Sequence, residues 1–213
     1  MEIIYNILLI LHITGGSIGL LCGTISIVRK KGDKIHKITG RFFYYGMLAT
    51  GISSLLLALI HPNYFLLILG IFTIYMIGTG QRVLQLKTMT GGEQKPSFID
   101  YFFTYSMMIA SVVFMGLGIY ELIHKNTFGV VFLVFWFLSL RMVKKDIQYY
   151  KGNATYKNYW LTTHLQRMTG AYTAAATAFL VVNNTSMLPS FVVWLLPTAI
   201  LLPLIIKWTR KYR

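Results

Sequence analysis

Seven apolar stretches, each close to the length of a bilayer crossing, recur along this chain with short cationic blocks between them, and that arrangement leaves few folds open. A hydrocarbon core about 30 Å thick takes roughly 20 apolar residues to cross as a helix. Lipid offers backbone N–H and C=O groups no partner, so each crossing segment must satisfy its own. The stretches fall near 3–28, 42–61, 64–84, 101–123, 127–143, 160–183 and 188–207. The fifth is the shortest, although FGVVFLVFWFLSL is densely apolar. With 55% hydrophobic and 12% charged residues, a chain of 213 residues has too little polar surface to wrap a soluble domain. The expected fold is all-α: one polytopic membrane bundle, residues 1–213, of seven transmembrane helices.

Orientation follows from the cations. Of the 20 Lys and Arg, all but Lys125 and Arg167 fall on one side of such a bundle, in the first, third and fifth connections and the tail. Short loops rich in Lys and Arg stay cytoplasmic. The amino terminus is therefore expected outside and the carboxy terminus inside, in a multi-pass protein of a bacterial inner membrane. The formal charge of +14 reads as a topology signal, and nucleic acid is not an expected partner; the lipid bilayer is. Trp160 and Trp208 sit where interfacial aromatics belong, near the inner surface. RKK follows the first apolar run instead of preceding it, so no cleavable signal peptide is expected. Cys22 is the only cysteine, which excludes an intrachain disulfide and a cysteine zinc cluster. The outer connections HPN (61–63), HKNT (124–127) and NNTSM (183–187) are short, so a soluble partner or substrate is expected from the cytoplasm.

Polar chemistry concentrates at a few places. In the first helix His12 shares a face with Gly15, Gly16, Gly19 and Gly23, a small-residue ladder that admits a neighbouring backbone or a flat ligand. A close helix contact, with His12 bonded to a hydroxyl or carbonyl across it, is one reading; a haem or metal ligand is the other. The second helix is entered through DKIHKITGRFF, with His36 and Arg41, and the sixth through THLQRMTGAY, with His164 and Arg167. An arginine within a span costs about 2.5 to 3.5 kcal/mol on insertion scales, so Arg167 should snorkel, pair or hold an anion. Both helices run from inside to outside, so His36, Arg41, His164 and Arg167 are expected to start side by side around one inner-leaflet pocket. Groups that can all be cationic need a carboxylate, phosphate or quinone oxygen among them. The acids available on that side are Asp33, Glu93, Asp100 and Asp146, and Asp100 is the one expected to pair with an arginine.

His12 with its glycines, HKITGRFFYYGML and HLQRMTGAYTAAATAFLVVN together resemble a family of bacterial integral membrane proteins known as domain of unknown function 2306. The resemblance covers about residues 8–184 and implies a multi-spanning membrane protein. It implies no activity and assigns no residue a role.

The leading expectation is an inner-leaflet pocket that binds a small anionic or haem-like ligand, with redox chemistry as its most specific form. Anionic lipid, quinone and haem are the candidate occupants. A b-type haem held by His36 and His164 is compatible in depth, whereas His12, roughly 24 Å from the inner end of its helix, cannot share an iron with His164 at about 6 Å. A second haem on His12 would need His61 or His124 from the loop edges. The alternatives are a small transporter or channel using His12, with Glu121 and His124 as a proton entrance and Pro197 as a helix break, and a non-enzymatic assembly factor docking lipid or subunits by its basic face. An intramembrane zinc hydrolase is disfavoured because no HxxxH and no acid within a helix core is expected. No P-loop, dinucleotide fingerprint or Ser-His-Asp arrangement is visible, and TGGEQKPS at 90–97 reads as a plain glycine-proline loop.

Overall fold

The structure is a computed structural model describing residues 2–89, 94–154, 156–185 and 188–213. Among these residues there are seven α-helices and no strand: α1 (Glu2–Val28), α2 (Lys34–Ile60), α3 (Tyr64–Arg82), α4 (Phe98–Ile123), α5 (Gly129–Tyr150), α6 (Tyr159–Asn183) and α7 (Ser190–Tyr212). A 3₁₀ turn, Val83–Gln85, continues α3. Five helices, α1, α2, α3 with its turn, α4 and α7, are long and apolar enough to cross a membrane. In α5 the cations Arg141, Lys144 and Lys145 with Asp146 dilute the apolar run, and in α6 His164, Gln166 and Arg167 do the same.

Helix starts are set by side chains that satisfy orphan backbone donors. Asp33 holds an extended backbone and accepts from the His36 N–H at 2.6 Å, so α2 begins at Lys34 and not near 42. Arg29 pairs with the same carboxylate at 3.1 Å. The His36 N–H, then Arg29, hold the Asp33 carboxyl below its ordinary value. Asp100 Oδ2 accepts from the Ser97 N–H and hydroxyl at 2.8 Å each, starting α4 at Phe98 and not near 101. Asn63 caps α3 by accepting from the Leu66 N–H at 3.0 Å. Two helices outrun their apolar cores. α5 continues to Tyr150, past the expected end at 143, and α7 to Tyr212, past 207. The charged half of α5 stays helical because Ser139, Val143, Asp146 and Tyr149, three or four residues apart, form one buried face. An acid therefore does lie inside a helix interior, at Asp146. Glu93 and the TGGE start of the 90–97 loop lie outside the described residues.

The bundle is polar within and apolar without. Leu59 is 75% exposed and Phe98 84%, whereas Asp100, Thr104, Ser111, Ser139 and Thr162 are fully buried. A surface of that kind is stable in hydrocarbon and not in water; the protein is a helical membrane protein. α3 is the central post, packed by α2, α4, α5 and α6. Four helices close into a ring, α1 to α2 to α3 to α6 and back to α1, in which α2 and α6 stand diagonally with no backbone contact among the described residues. The α1–α2 edge of that ring is tight because both sides offer glycine. A Cβ on Gly15 would stand 2.9 Å from the Gly46 carbonyl oxygen, and one on Gly46 2.7 Å from the Gly15 oxygen.

Candidate functional site

At the cationic end of the four-helix ring lies a cavity of about 420 Å³. Its apolar wall comes from Phe43 of α2 and from Leu161, Leu165, Met168 and Tyr172 of α6. Phe43 and Tyr172 meet across the diagonal with ring centroids 6.5 Å apart, and Tyr172 Oη is 2.7 Å from Thr24 Oγ1 of α1. Its basic groups are Lys31, Lys37, Lys87, His36 and His164, with Ser26 and Thr169 beside them; among the described residues no Asp or Glu lines it. Lys31 donates to the Ser26 and Ile27 carbonyls, at 2.9 and 2.6 Å, and stands 4.1 Å over the Trp208 ring. Burial holds its ammonium below its ordinary value. Lys87 stands 4.8 Å over the Trp160 ring. These contacts hold the two ammonium groups themselves at the lining of the cavity.

The two imidazoles are anchored alike. His36 Nδ1 donates to the Ser26 carbonyl at 3.1 Å, and His164 Nδ1 donates to the Gly80 carbonyl of α3 at 2.8 Å. A carbonyl oxygen only accepts, so Nδ1 carries the proton and, in the neutral ring, Nε2 keeps its lone pair. Neither Nε2 has a hydrogen-bond partner among the described residues. Nor is either sealed away, since no buried side-chain nitrogen or oxygen there lacks a partner. Both Nε2 atoms are therefore accessible and free of partners among the described residues. Gly80 lets α6 pack this closely on α3, because a Cβ there would stand 2.8 Å from Arg167 Cβ.

Arg167 and Arg41, the other two residues expected at this pocket, do not line it. Arg41 lies five residues beyond His36, about 140° further round α2, and is exposed. Arg167 turns to the opposite side of α3. It donates to Asp146 Oδ1 of α5 at 2.7 Å and to Thr79 Oγ1 of α3 at 2.8 Å, and stands 4.6 Å over the Tyr75 ring. The Tyr75 hydroxyl closes the cluster with a 2.5 Å bond to Asp146 Oδ2. Arg167 is 4% exposed and Asp146 5%, so neither snorkels. Asp100, which does not line the cavity, pairs with Arg82, Nε to Oδ1 at 2.9 Å and Nη2 to Oδ2 at 2.8 Å. It caps α4 and ties it to α3.

His12 stands between α1 and α2 with Nδ1 3.4 Å from Ser53 Oγ and 3.3 Å from Ser54 Oγ, a close helix contact bonded across to hydroxyls. At the other end of the bundle, Glu121 Oε2 accepts from Asn126 at 2.5 Å and His124 Nδ1 donates to its own helix at Tyr120. Among the described residues, no three His, Cys, Asp or Glu side chains gather closely enough to hold a bare metal ion.

Lys31, Lys37 and Lys87 were legible only as topology signals, and the carboxylate partner of Arg167, Asp146, was hidden in the KKD run. The buried 3–4 spacing of Ser139, Val143, Asp146 and Tyr149 is the signal that finds Asp146. No family model, curated protein or solved structure matches the chain.

Proposed function

We propose that this is a seven-span protein of a bacterial inner membrane, amino terminus outside, whose inner-end cavity binds a small amphiphilic anion. Positive-inside asymmetry supports the orientation. The spanning of α5 and α6 is supported by their packing: α5 lies along α4, and α6 along α3, α1 and α7, as full-length members of the bundle. The residues that dilute their apolar character are either at the cationic end or paired inside.

The observation that carries the binding reading is the cavity's lining: an apolar wall of aromatic and aliphatic groups, three lysines, two imidazoles and no described carboxylate. Pockets of about 300 to 1,000 Å³ with an apolar body and a few converging polar groups are the usual form of small-molecule sites. Cations gathered without a counter-ion favour an anionic head, and the wall favours a flat or chain-like apolar body.

Extraction and mass spectrometry of small anions that co-purify with the full chain in an uncharged detergent tests this. Wild type should retain an amphiphilic anion, and the triple variant Lys31→Gln, Lys37→Gln, Lys87→Gln should lose at least about tenfold of it. Identical extracts from the two proteins overturn the reading and leave the basic face as a docking surface for lipid or subunits.

A further inference from the structure

We infer that the anion is iron protoporphyrin, bound as a b-type haem between His36 and His164. This rests on the reading of the cavity as an amphiphile site and names its occupant.

Diagonal placement is the first ground. α2 and α6 face each other across the ring and are held apart by α1 and α3, so His36 and His164 line the cavity from opposite corners. The second ground is the tautomer. Both Nδ1 atoms donate to backbone carbonyls, which tethers the rings and leaves the Nε2 lone pair of each neutral imidazole unused by the described residues, on two residues that line the cavity. Histidines that ligate metals are held in this way, their second nitrogen donating to a carbonyl or carboxylate.

The ligand count points the same way. A bare cation needs three or four protein groups, and no such cluster exists among the described residues. Porphyrin supplies four equatorial nitrogens, so two imidazoles suffice. The remaining features match the molecule's two chemistries. The macrocycle is flat and apolar and would lie against Phe43, Met168 and Tyr172. Its two propionates are anionic, and Lys31, Lys37 and Lys87 supply charge without a competing acid. His12, bonded between α1 and α2, takes no part.

Titration of the full chain with haemin in an uncharged detergent tests this. Wild type should bind one haemin per chain and, once reduced, give the narrow, split visible bands of six-coordinate low-spin iron. His36→Ala and His164→Ala should each lose the split, and free imidazole should restore it, a rescue that a merely structural histidine would not show. His12→Ala should keep it. If an alanine variant fails to fold, His36→Met and His164→Met replace one ligand with another, and their bands should shift without loss. Two results overturn the inference: a low-spin spectrum unmoved by both histidine substitutions, or no haemin uptake by a chain that still retains another amphiphilic anion. The latter leaves the cavity reading intact, whereas a chain that takes up neither loses both.

Discussion

His164 and Arg167 stand three positions apart on α6, and they meet opposite fates. His164 faces the ring of α1, α2 and α3, spends one nitrogen on the Gly80 carbonyl and leaves the other open to a cavity. Arg167 faces α5, and Asp146, Thr79 and Tyr75 surround it. A saturated polar group in a membrane bundle is structure, because its energy goes into holding helices together. A polar group with an unused valence beside a void has a different purpose. The two sites share α3 and α6, so the buried ion pair sets the register in which His164 is presented.

The sharpest way to break this contrast is to unpair the closed site. Arg167→Met leaves Asp146 buried without its cation and should cost about 3–5 kcal/mol, read as a lowered midpoint of unfolding in detergent. Arg167→Met with Asp146→Leu should recover most of that loss. An equally unstable double variant would mean that the cluster does more than neutralise itself. Next comes the partly open pair: Arg82→Ala should cost about 1–3 kcal/mol, less than Arg167→Met, since Arg82 is 24% exposed although Asp100 is fully buried.

His164→Ala should cost only about 1 kcal/mol, the value of one neutral hydrogen bond, while abolishing the low-spin spectrum. Stability and binding would then separate on one helix, three residues apart. Were His164→Ala as damaging as Arg167→Met, the distinction between the sites would collapse. The smallest effect belongs to Asp33. Its folded value lies below its unfolded one, so its contribution is full above about pH 3.9 and is lost only as pH falls through the lower folded value. Unfolding midpoints between pH 5 and 8 should therefore respond to Asp33→Asn by a constant offset; an offset that varies across that range would assign the carboxylate a different titration.

The helical architecture was legible because hydrocarbon allows so little else: apolar length alone located seven segments, and the ends of α1, α3 and α6 fall within a few residues of expectation. What misled was polarity at helix ends. DKIH and LRMVKKDIQYY look like loops by hydropathy, yet Asp33 caps the first and a buried stripe sustains the second. The pocket was legible by half. Paired histidines at similar depth were readable from spacing, but which way Arg41 and Arg167 turn depends on helix phase and on a partner in α5 that no local pattern links to α6. Contact between α2 and α6 was the wrong form of nearness. They oppose each other across a gap, and the gap is the cavity.

Gly23 is where α1 borders that gap. A Cβ there would stand 2.5 Å from Tyr172 and 3.0 Å from Phe43, the two rings that bound the cavity from above. α1 thus presents bare backbone where any other residue would collide with those rings and force them from the places they hold in the cavity wall. Room for an occupant, in this protein, is kept by the side chain that one position does without.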